Sequence, residues 1–460
     1  MSISQKPRRE LDSLAVSKNN CLKETLESFF SEEWIREKAR EVGYVKRERK
    51  VDVVVFFWTI LLAFSSGACR RLADLRRAFG QGSGRTISIS SFYDRWTFSL
   101  TRLLKEAVSL AVETMSESCQ GLCGKLSYFK DLVLADATVL RLHDALEKNF
   151  PACRTNHTRA AAKLHIVMSV SAASPRSVEI TGERTSERKK LKVGPWVKDR
   201  LLIGDLGYYD GRLFESVSRN GGYFISRLKE NANPLIVRCN LPCRGRSVSL
   251  AGKKLQDVLP LLTRSKIDVD VEIAFRKRKY RGERSGARSR YRLVGVMNEE
   301  TGKYHLYLTN VPGEVLGPED VARTYRTRWE VELLFKELKT HYRLDQFCSC
   351  KREVVESLIY ASILTLVVSR GLLMALRNAR KIPPSRSPEG RFAAVFQSVS
   401  MRLLYLMTIP SCRSGEKQGG GTQKRGGLHE KAWDGLEEFM MHEMVDPNLK
   451  RWRNLSILRA

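Results

Sequence analysis

Three acidic residues stand where their carboxylates could bind metal ions. Asp136 and Asp205 each end a short apolar run typical of a strand, and Glu332 lies in a long stretch typical of a helix. Polar groups at the carboxyl ends of strands are accessible for chemistry. Two hard cations about 3.5–4 Å apart commonly catalyse phosphodiester reactions, and Mg²⁺ needs few protein carboxylates because it keeps several waters. Each acid alone is more often a surface carboxylate or a helix cap, so the prediction depends on all three together.

The helix that carries Glu332 is predicted from composition. Residues 325–339 contain no Gly or Pro and are rich in Leu, Glu, Lys and Arg, and residues 318–320 supply an acidic first turn. At about 100° per residue, one face of roughly 60° presents a phenol, a guanidinium, a carboxylate and an ammonium. They belong to Tyr325, Arg328, Glu332 and Lys339. A solvated charged face is the ordinary interpretation of such a pattern, and a functional face is the alternative.

The spacing of these residues matches a known motif. Tyr325-x2-Arg328-x3-Glu332-x6-Lys339 resembles the Y-R-E-K signature of DDE transposases in the insertion-sequence-four branch. Residues 136–138 (Asp-Ala-Thr) are similar to the D-x-T/S element around the first catalytic acid of that family. Residues 205–208 (Asp-Leu-Gly-Tyr) are similar to the D-x-G-Y/F element around the second.

The resemblance, which covers residues 46–367, implies a fold and a set of catalytic groups. The implied fold class is α/β: a ribonuclease-H-like mixed sheet core with an inserted mainly-β domain, a helical N-terminal domain and a helical C-terminal region. Asp136, Asp205 and Glu332 would be the catalytic acids and the ligands of two Mg²⁺ ions, for which Mn²⁺ would substitute. Tyr325, Arg328 and Lys339 would contact transposon-end phosphates.

The sequence departs from that family at one aromatic position. Members that form a DNA hairpin stack a flipped base on an aromatic residue, often Trp, of the inserted domain. No Trp lies between Asp205 and Trp329 here. Tyr280 and Tyr291 could replace it, and the hairpin step stays open.

The charge balance predicts a polyanionic partner. The chain of 460 residues carries 80 Lys and Arg against 51 Asp and Glu, a net charge of +29, which points to nucleic acid or an anionic membrane surface. The densest basic segment, residues 276–292, has nine positive residues and one Glu. Phosphate contact is the favoured interpretation over a solvated hairpin tip. Its candidate residues are Arg276, Lys277, Arg278, Lys279 and Arg281.

The cysteines and the apolar stretches indicate a cytoplasmic protein. Ten cysteines show no zinc-finger spacing and no accompanying His cluster, which favours reduced thiols. Residues 1–10 have no apolar core and are not a secretory signal. The apolar stretches 51–68 and 354–376 contain charges that are costly in a membrane, and both are predicted to be buried helices. We expect a cytoplasmic protein without membrane association, bound to the nucleoid through DNA.

Changes in hydrophobic periodicity predict the domain boundaries. Residues 1–125 are predicted to be a helical domain that binds DNA or, alternatively, supports the core. The first part of the catalytic core follows at 126–228, then an inserted β-rich basic segment at 229–303. The second part of the core, with the Y-R-E-K helix, spans 304–376, and a linker with a helical tail spans 377–460.

Together these observations predict a DNA transposase. It would bind the terminal inverted repeats of an insertion sequence in double-stranded DNA, cleave them with metal-activated water and transfer the strands to target DNA. The reaction needs two ends, so we expect a homodimer in the DNA complex. The alternatives are a metal-dependent nuclease on the same core and a catalytically inactive DNA-binding derivative.

Overall fold

Helices and one large sheet make up the computed structural model. The residues that it describes are 21–47, 51–64, 71–117, 121–153, 158–241, 250–277, 285–345, 347, 349–408 and 422–446. Within them the helices are α1 (Cys21–Phe29), α2 (Glu32–Glu41), α3 (Val53–Trp58), α4 (Leu72–Ser83), α5 (Ile89–Tyr93), α6 (Phe98–Glu117), α7 (Glu187–Lys190), α8 (Gly211–Arg219), α9 (Leu255–Val258), α10 (Pro318–Tyr325), α11 (Trp329–Thr340), α12 (Arg352–Arg380), α13 (Glu389–Thr408) and α14 (Thr422–Met444). The strands are β1 (Asp131–Leu142), β2 (Ala160–Ser169), β3 (Ser174–Gly182), β4 (Arg200–Gly204), β5 (Tyr223–Arg227), β6 (Leu235–Cys239), β7 (Lys266–Arg276), β8 (Gly286–Met297) and β9 (Tyr304–Thr309).

The nine strands form one mixed sheet in the order β3-β2-β1-β4-β5-β9-β8-β7-β6. β1, β4 and β5 are parallel, and the other pairs are antiparallel. The first five strands in this order, β3 to β5, all lie in the segment predicted as the first part of the ribonuclease-H-like core, residues 126–228. The stretch of β1 that pairs with β4, residues 131–135, is buried, and so are residues 201–204 of β4, as expected for strands covered on both faces.

The strands of the predicted insertion continue this same sheet. β9 pairs with β5 on one side and with β8 on the other, and β7 and β6 follow outward. The β-rich segment predicted at 229–303 is therefore present, but its strands do not form a sheet of their own. Periodicity reveals a strand and cannot show which neighbour it pairs with.

The described residues fall into two compact units. A helical unit contains residues 21–115 and 337–446, and the sheet unit contains Ser116–Lys336. This division differs from the five sequence segments, because the helices from both ends of the chain belong to one unit. α12 belongs there too, although residues up to 376 had been assigned to the catalytic core.

The helical unit is built around apolar side chains. Among the described helices, α12 is the one that is long and apolar enough to cross a membrane, and 94% of its most apolar window is buried inside the protein. A helix that is apolar on all sides is expected in a core, as predicted for residues 354–376. A second core cluster contains Phe56, Phe92 and Trp96, whose rings contact one another.

A buried ion pair connects the outer strands of the sheet to the loop before α10. Arg292 on β8 and Asp268 on β7 are only 8% and 7% exposed and approach to 2.6 Å. The guanidinium also donates to the carbonyls of Val311 and Leu316 at 3.2 and 2.7 Å. Including Arg292 in the phosphate-contacting run was therefore wrong, because its donors are used inside the protein.

We expect Arg292→Met to lower the free energy of unfolding by about 3–5 kcal/mol, because it leaves the Asp268 charge buried without its partner. Arg288→Met is the matched control. Arg288 also lies on β8 and pairs with an acid of β7, Glu272, but its side chain is 73% exposed, so the expected change is about 0–1 kcal/mol. Urea unfolding of both variants measures the difference, and equal losses would contradict the structural role of Arg292.

Candidate active site

The pairing of two parallel strands places Asp136 beside Asp205. The matched residues of β1 and β4 end at Ala135 and Gly204, so the two acids are the next residues of each chain. Residues one step beyond a matched pair point to the same face, and neighbouring strands lie about 4.8 Å apart. The two carboxylates are therefore neighbours, and the charge of Asp205 acts on Asp136.

Asp136 does not end its strand, although the sequence analysis placed it there. β1 continues to Leu142, because its pairing with β2 extends from Asp136↔Ile166 to Leu142↔Ala160. The pairing that ends just before Asp136, at Ala135, is the parallel one with β4. Asp205, by contrast, follows the last residue of β4 and is exposed.

Tyr325 fixes the helical segment against the end of β4. Its side chain is 7% exposed, and its hydroxyl donates to the carbonyl of Gly204 at 3.5 Å. Burial raises the pKa of Tyr325 to about 12. The predicted continuous helix over 325–339 is interrupted here, because a 3₁₀ turn at Arg326–Arg328 separates α10 from α11.

Arg328 connects α11 to β1 through two acidic side chains. Its Nη2 lies 2.6 Å from the Glu332 carboxylate and its Nη1 lies 3.9 Å from Asp136. Burial alone would lower the pKa of Arg328, but the hydrogen bond and charge of Glu332, together with the charges of Tyr325 and Asp205, raise it. One charged guanidinium thus interacts with all three predicted acids, which the structure brings to one place.

Burial raises the pKa of Asp136 to about 6. The backbone N–H of Ala137, at 2.8 Å, and the charge of Arg328 act in the opposite direction, while the charges of Asp205 and Glu187 raise it further. A carboxyl group in this environment gains from any additional positive charge placed near it.

Glu187 is a fourth acid near the site that the sequence analysis missed. It begins α7, and its carboxylate lies 3.4 Å from the ammonium of Lys163 on β2. Its charge raises the pKa of Asp136 and also that of Tyr208, for which burial is the main cause. Glu187 stands in a charged segment outside any apolar run, so no local pattern distinguishes it.

The structure describes only some of the residues that were predicted to contact DNA. Arg276 and Lys277 are exposed at the end of β7, and Lys277 lies 3.4 Å from Glu215. Arg278, Lys279 and Arg281 lie outside the described residues, as does Tyr280. Lys339 is half-buried in the last turn of α11. Tyr291 is buried against Phe214 and Phe224.

The acidic residues fit a hard divalent cation. Within the described ranges, no three His, Cys, Asp or Glu side chains are gathered closely enough to hold a metal ion as they stand, and Arg328 lies against Asp136 and Glu332 instead. The side-by-side oxygens of Asp136 and Asp205 are nevertheless the ligand type that Mg²⁺ prefers. A cation there would offset the burial and repulsion that raise the pKa of Asp136.

Comparison with known protein families gives a match at this site. The family model described as "Transposase DDE domain" matches residues 127–368, more than half of the chain. The matched range contains Asp136, Asp205 and Glu332.

Several curated proteins are similar over most of their length. The transposase for insertion sequence element IS231F of Bacillus thuringiensis subsp. israelensis is 22% identical over 400 residues, covering 77% of this chain and 80% of that protein. The transposase for IS1151 of Clostridium perfringens is 20% identical over 279 residues, covering 55% and 59%. Among solved structures, a piggyBac transposase synaptic complex with hairpin DNA aligns with a TM-score of 0.40 and 13% identity, covering 94% of this chain and 83% of that one.

Proposed function

The chain belongs to the transposase DDE domain family, and from that membership we propose that Asp136, Asp205 and Glu332 are its catalytic carboxylates. The protein is a DNA transposase of the insertion-sequence type, an enzyme that cleaves DNA strands and transfers them. Its chemistry depends on divalent metal ions. The observation that best supports this choice of acids is the position of Arg328. Its guanidinium contacts both Asp136 and Glu332 and also interacts with the charge of Asp205.

We propose that the three acids hold two Mg²⁺ ions, which Mn²⁺ can replace. Such ions activate the attacking oxygen and neutralise the leaving oxygen of a phosphodiester. The pairing of β1 with β4 keeps Asp136 and Asp205 together, and α11 supplies Glu332. Before the ions bind, Arg328 balances part of the negative charge.

The DNA phosphates are proposed to meet the cations around this site. Arg328 would release Glu332 and turn to a phosphate, for which a guanidinium is well suited. Lys339 and the exposed Arg276 and Lys277 would add further phosphate contacts, together with Arg278, Lys279 and Arg281. Tyr325 is buried, so we propose that its contribution to DNA contact depends on the position it gives to Arg328.

The substrates that fit this reaction are the terminal inverted repeats of the element and a target duplex. Two transposon ends must be cut together, so we propose that a homodimer forms on DNA. A nuclease on the same core would cut without joining. Incubating the protein with labelled end duplex and a target plasmid distinguishes them, because only a transposase yields labelled, joined plasmid.

We expect Asp136→Asn, Asp205→Asn and Glu332→Gln each to reduce cleavage of the end duplex by more than the roughly 10–100-fold that loss of an outer-shell partner causes. Asp205→Asn is the most informative of the three substitutions. The Asp205 side chain is exposed and makes no hydrogen bond or ion pair within the described part of the chain, so its replacement should leave the fold unchanged. Glu314→Gln, an exposed acid in the loop before α10, is the control and should cleave at the wild-type rate. Undiminished cleavage by Asp205→Asn would rule out the assignment.

Metal binding should weaken as the pH falls through about 6, the raised pKa of Asp136. Protons and the cation compete for this carboxylate, so affinity is present above that pKa and is lost below it. Glu187→Gln removes one of the charges that raise this pKa and should move the midpoint to lower pH. Isothermal titration with Mn²⁺ across a pH series that brackets 6 measures both midpoints. A midpoint that does not move would show that Glu187 has no influence on the site.

A further inference from the structure

A basic groove lies in the helical unit, formed by residues outside the catalytic core. One wall is the turn after α2, residues 43–47, and the other runs from α5 to the start of α6, residues 91–99. The groove has a volume of about 630 Å³. We call it the 43–99 groove. The lining residues that matter here are Lys46, Arg47, Arg95, Ser91, Thr97 and Ser99.

The two walls of the 43–99 groove are held in place by the fold. Arg102 on α6 donates to the carbonyl of Val42 at 2.9 Å and to the Ser99 hydroxyl at 3.4 Å, so one side chain joins both walls. Trp96 anchors the second wall in the aromatic core through its contact with Phe56. The groove is therefore preformed, and a ligand would not have to order it.

The charges in the groove favour an anion. Lys46 and Arg47 are exposed and Arg95 is half-buried, and none of the three forms an ion pair within the described residues. The single acid of the lining is Asp94. Three cations against one carboxylate give a positive surface that is available to a partner.

The hydroxyl groups point to an acceptor-only partner. The Ser91 hydroxyl accepts from Ser88 at 2.8 Å, Thr97 accepts from the backbone N–H of Leu100 at 3.4 Å, and Ser99 accepts from Arg102. Each oxygen is used as an acceptor, which leaves its O–H to donate. Phosphate oxygens only accept, and Ser, Thr, Lys and Arg are the residues that usually contact a DNA backbone.

We propose that the 43–99 groove binds the sugar–phosphate backbone of duplex DNA, as a contact separate from the active site. The proposal rests on the transposase function and adds the surface by which the helical unit takes part in it. Because backbone contacts carry no sequence information, the groove strengthens binding to any duplex and does not select the repeat.

The test measures DNA affinity of the full-length protein in a metal chelator, so that no strand is cut. The probes are a labelled duplex with the end sequence that flanks the gene and a scrambled duplex of equal length. Lys46→Gln/Arg47→Gln/Arg95→Gln should weaken binding of both at least about tenfold and lower the slope of log K against log salt by about 2–3, because each lost phosphate contact removes about 0.9. Asp94→Asn should shift the dissociation constant of both duplexes downward.

The matched control removes three charges elsewhere in the helical unit. Arg386, Arg402 and Lys431 are exposed and do not line the groove, so Arg386→Gln/Arg402→Gln/Lys431→Gln should bind DNA with the wild-type slope. Circular dichroism and the melting temperature verify that all variants fold. An unchanged affinity and slope in the groove variant would overturn the proposal, and so would an equal loss in the control. Binding of inorganic phosphate alone, lost in the groove variant while DNA binding persists, would also overturn it.

Failure of this proposal can be told apart from failure of the proposed function. Binding in a chelator needs no catalysis, and Asp205→Asn should bind DNA normally while losing cleavage. If the groove variant binds like wild type but Asp205→Asn does not cleave, the groove assignment is wrong and the catalytic assignment stands. If Asp205→Asn cleaves normally while the groove variant loses DNA affinity, the catalytic assignment is wrong and the groove assignment stands.

Discussion

The parallel pairing of β1 with β4 is the constraint on which the candidate site depends. It brings two carboxylates next to each other at the point where the matched residues end at Ala135 and Gly204. Side chains alternate along a strand, so a slip of one residue would turn Asp205 to the opposite face. Two adjacent acids repel each other, and the half-buried one, Asp136, has a raised pKa as a result of burial and of this charge. Arg328 supplies the opposite charge.

A second set of contacts determines where the third acid lies. The Tyr325 hydroxyl holds the end of α10 at Gly204, and Arg292 holds the loop before α10 against β8. Glu332 is thus positioned by two separate attachments to the sheet. The basic residues of the 276–292 segment therefore differ in their surroundings. Arg292 is buried and structural, whereas Arg276 and Lys277 are exposed to solvent.

Much of this could be predicted from sequence because local patterns determine it. The apolar runs before Asp136 and Asp205 predict buried strands, and the residues around Glu332 predict a helix. The fixed spacing from Tyr325 to Lys339 indicated the family. The buried character of α12 followed from charges that a membrane would not tolerate.

The remaining features depend on contacts between distant residues, which local patterns do not contain. β1 continues past Asp136 because β2 pairs with it, and the chain of residues 131–142 alone does not indicate that partner. Glu187 reaches the site through tertiary packing. The burial of Arg292 depends on Asp268 and on two carbonyls of a distant loop, so its place in a basic run was misleading.

The single nine-stranded sheet limits how this protein could be shortened. In a modular enzyme, an insertion such as residues 229–303 can be excised without harm to its host. Here β8 covers the backbone of β9 along its length, so excision would turn β9 into an open edge strand. Unpaired N–H and C=O groups on such an edge recruit strands from other molecules. A minimal version of the enzyme would therefore aggregate unless a replacement strand or a charged edge were built in.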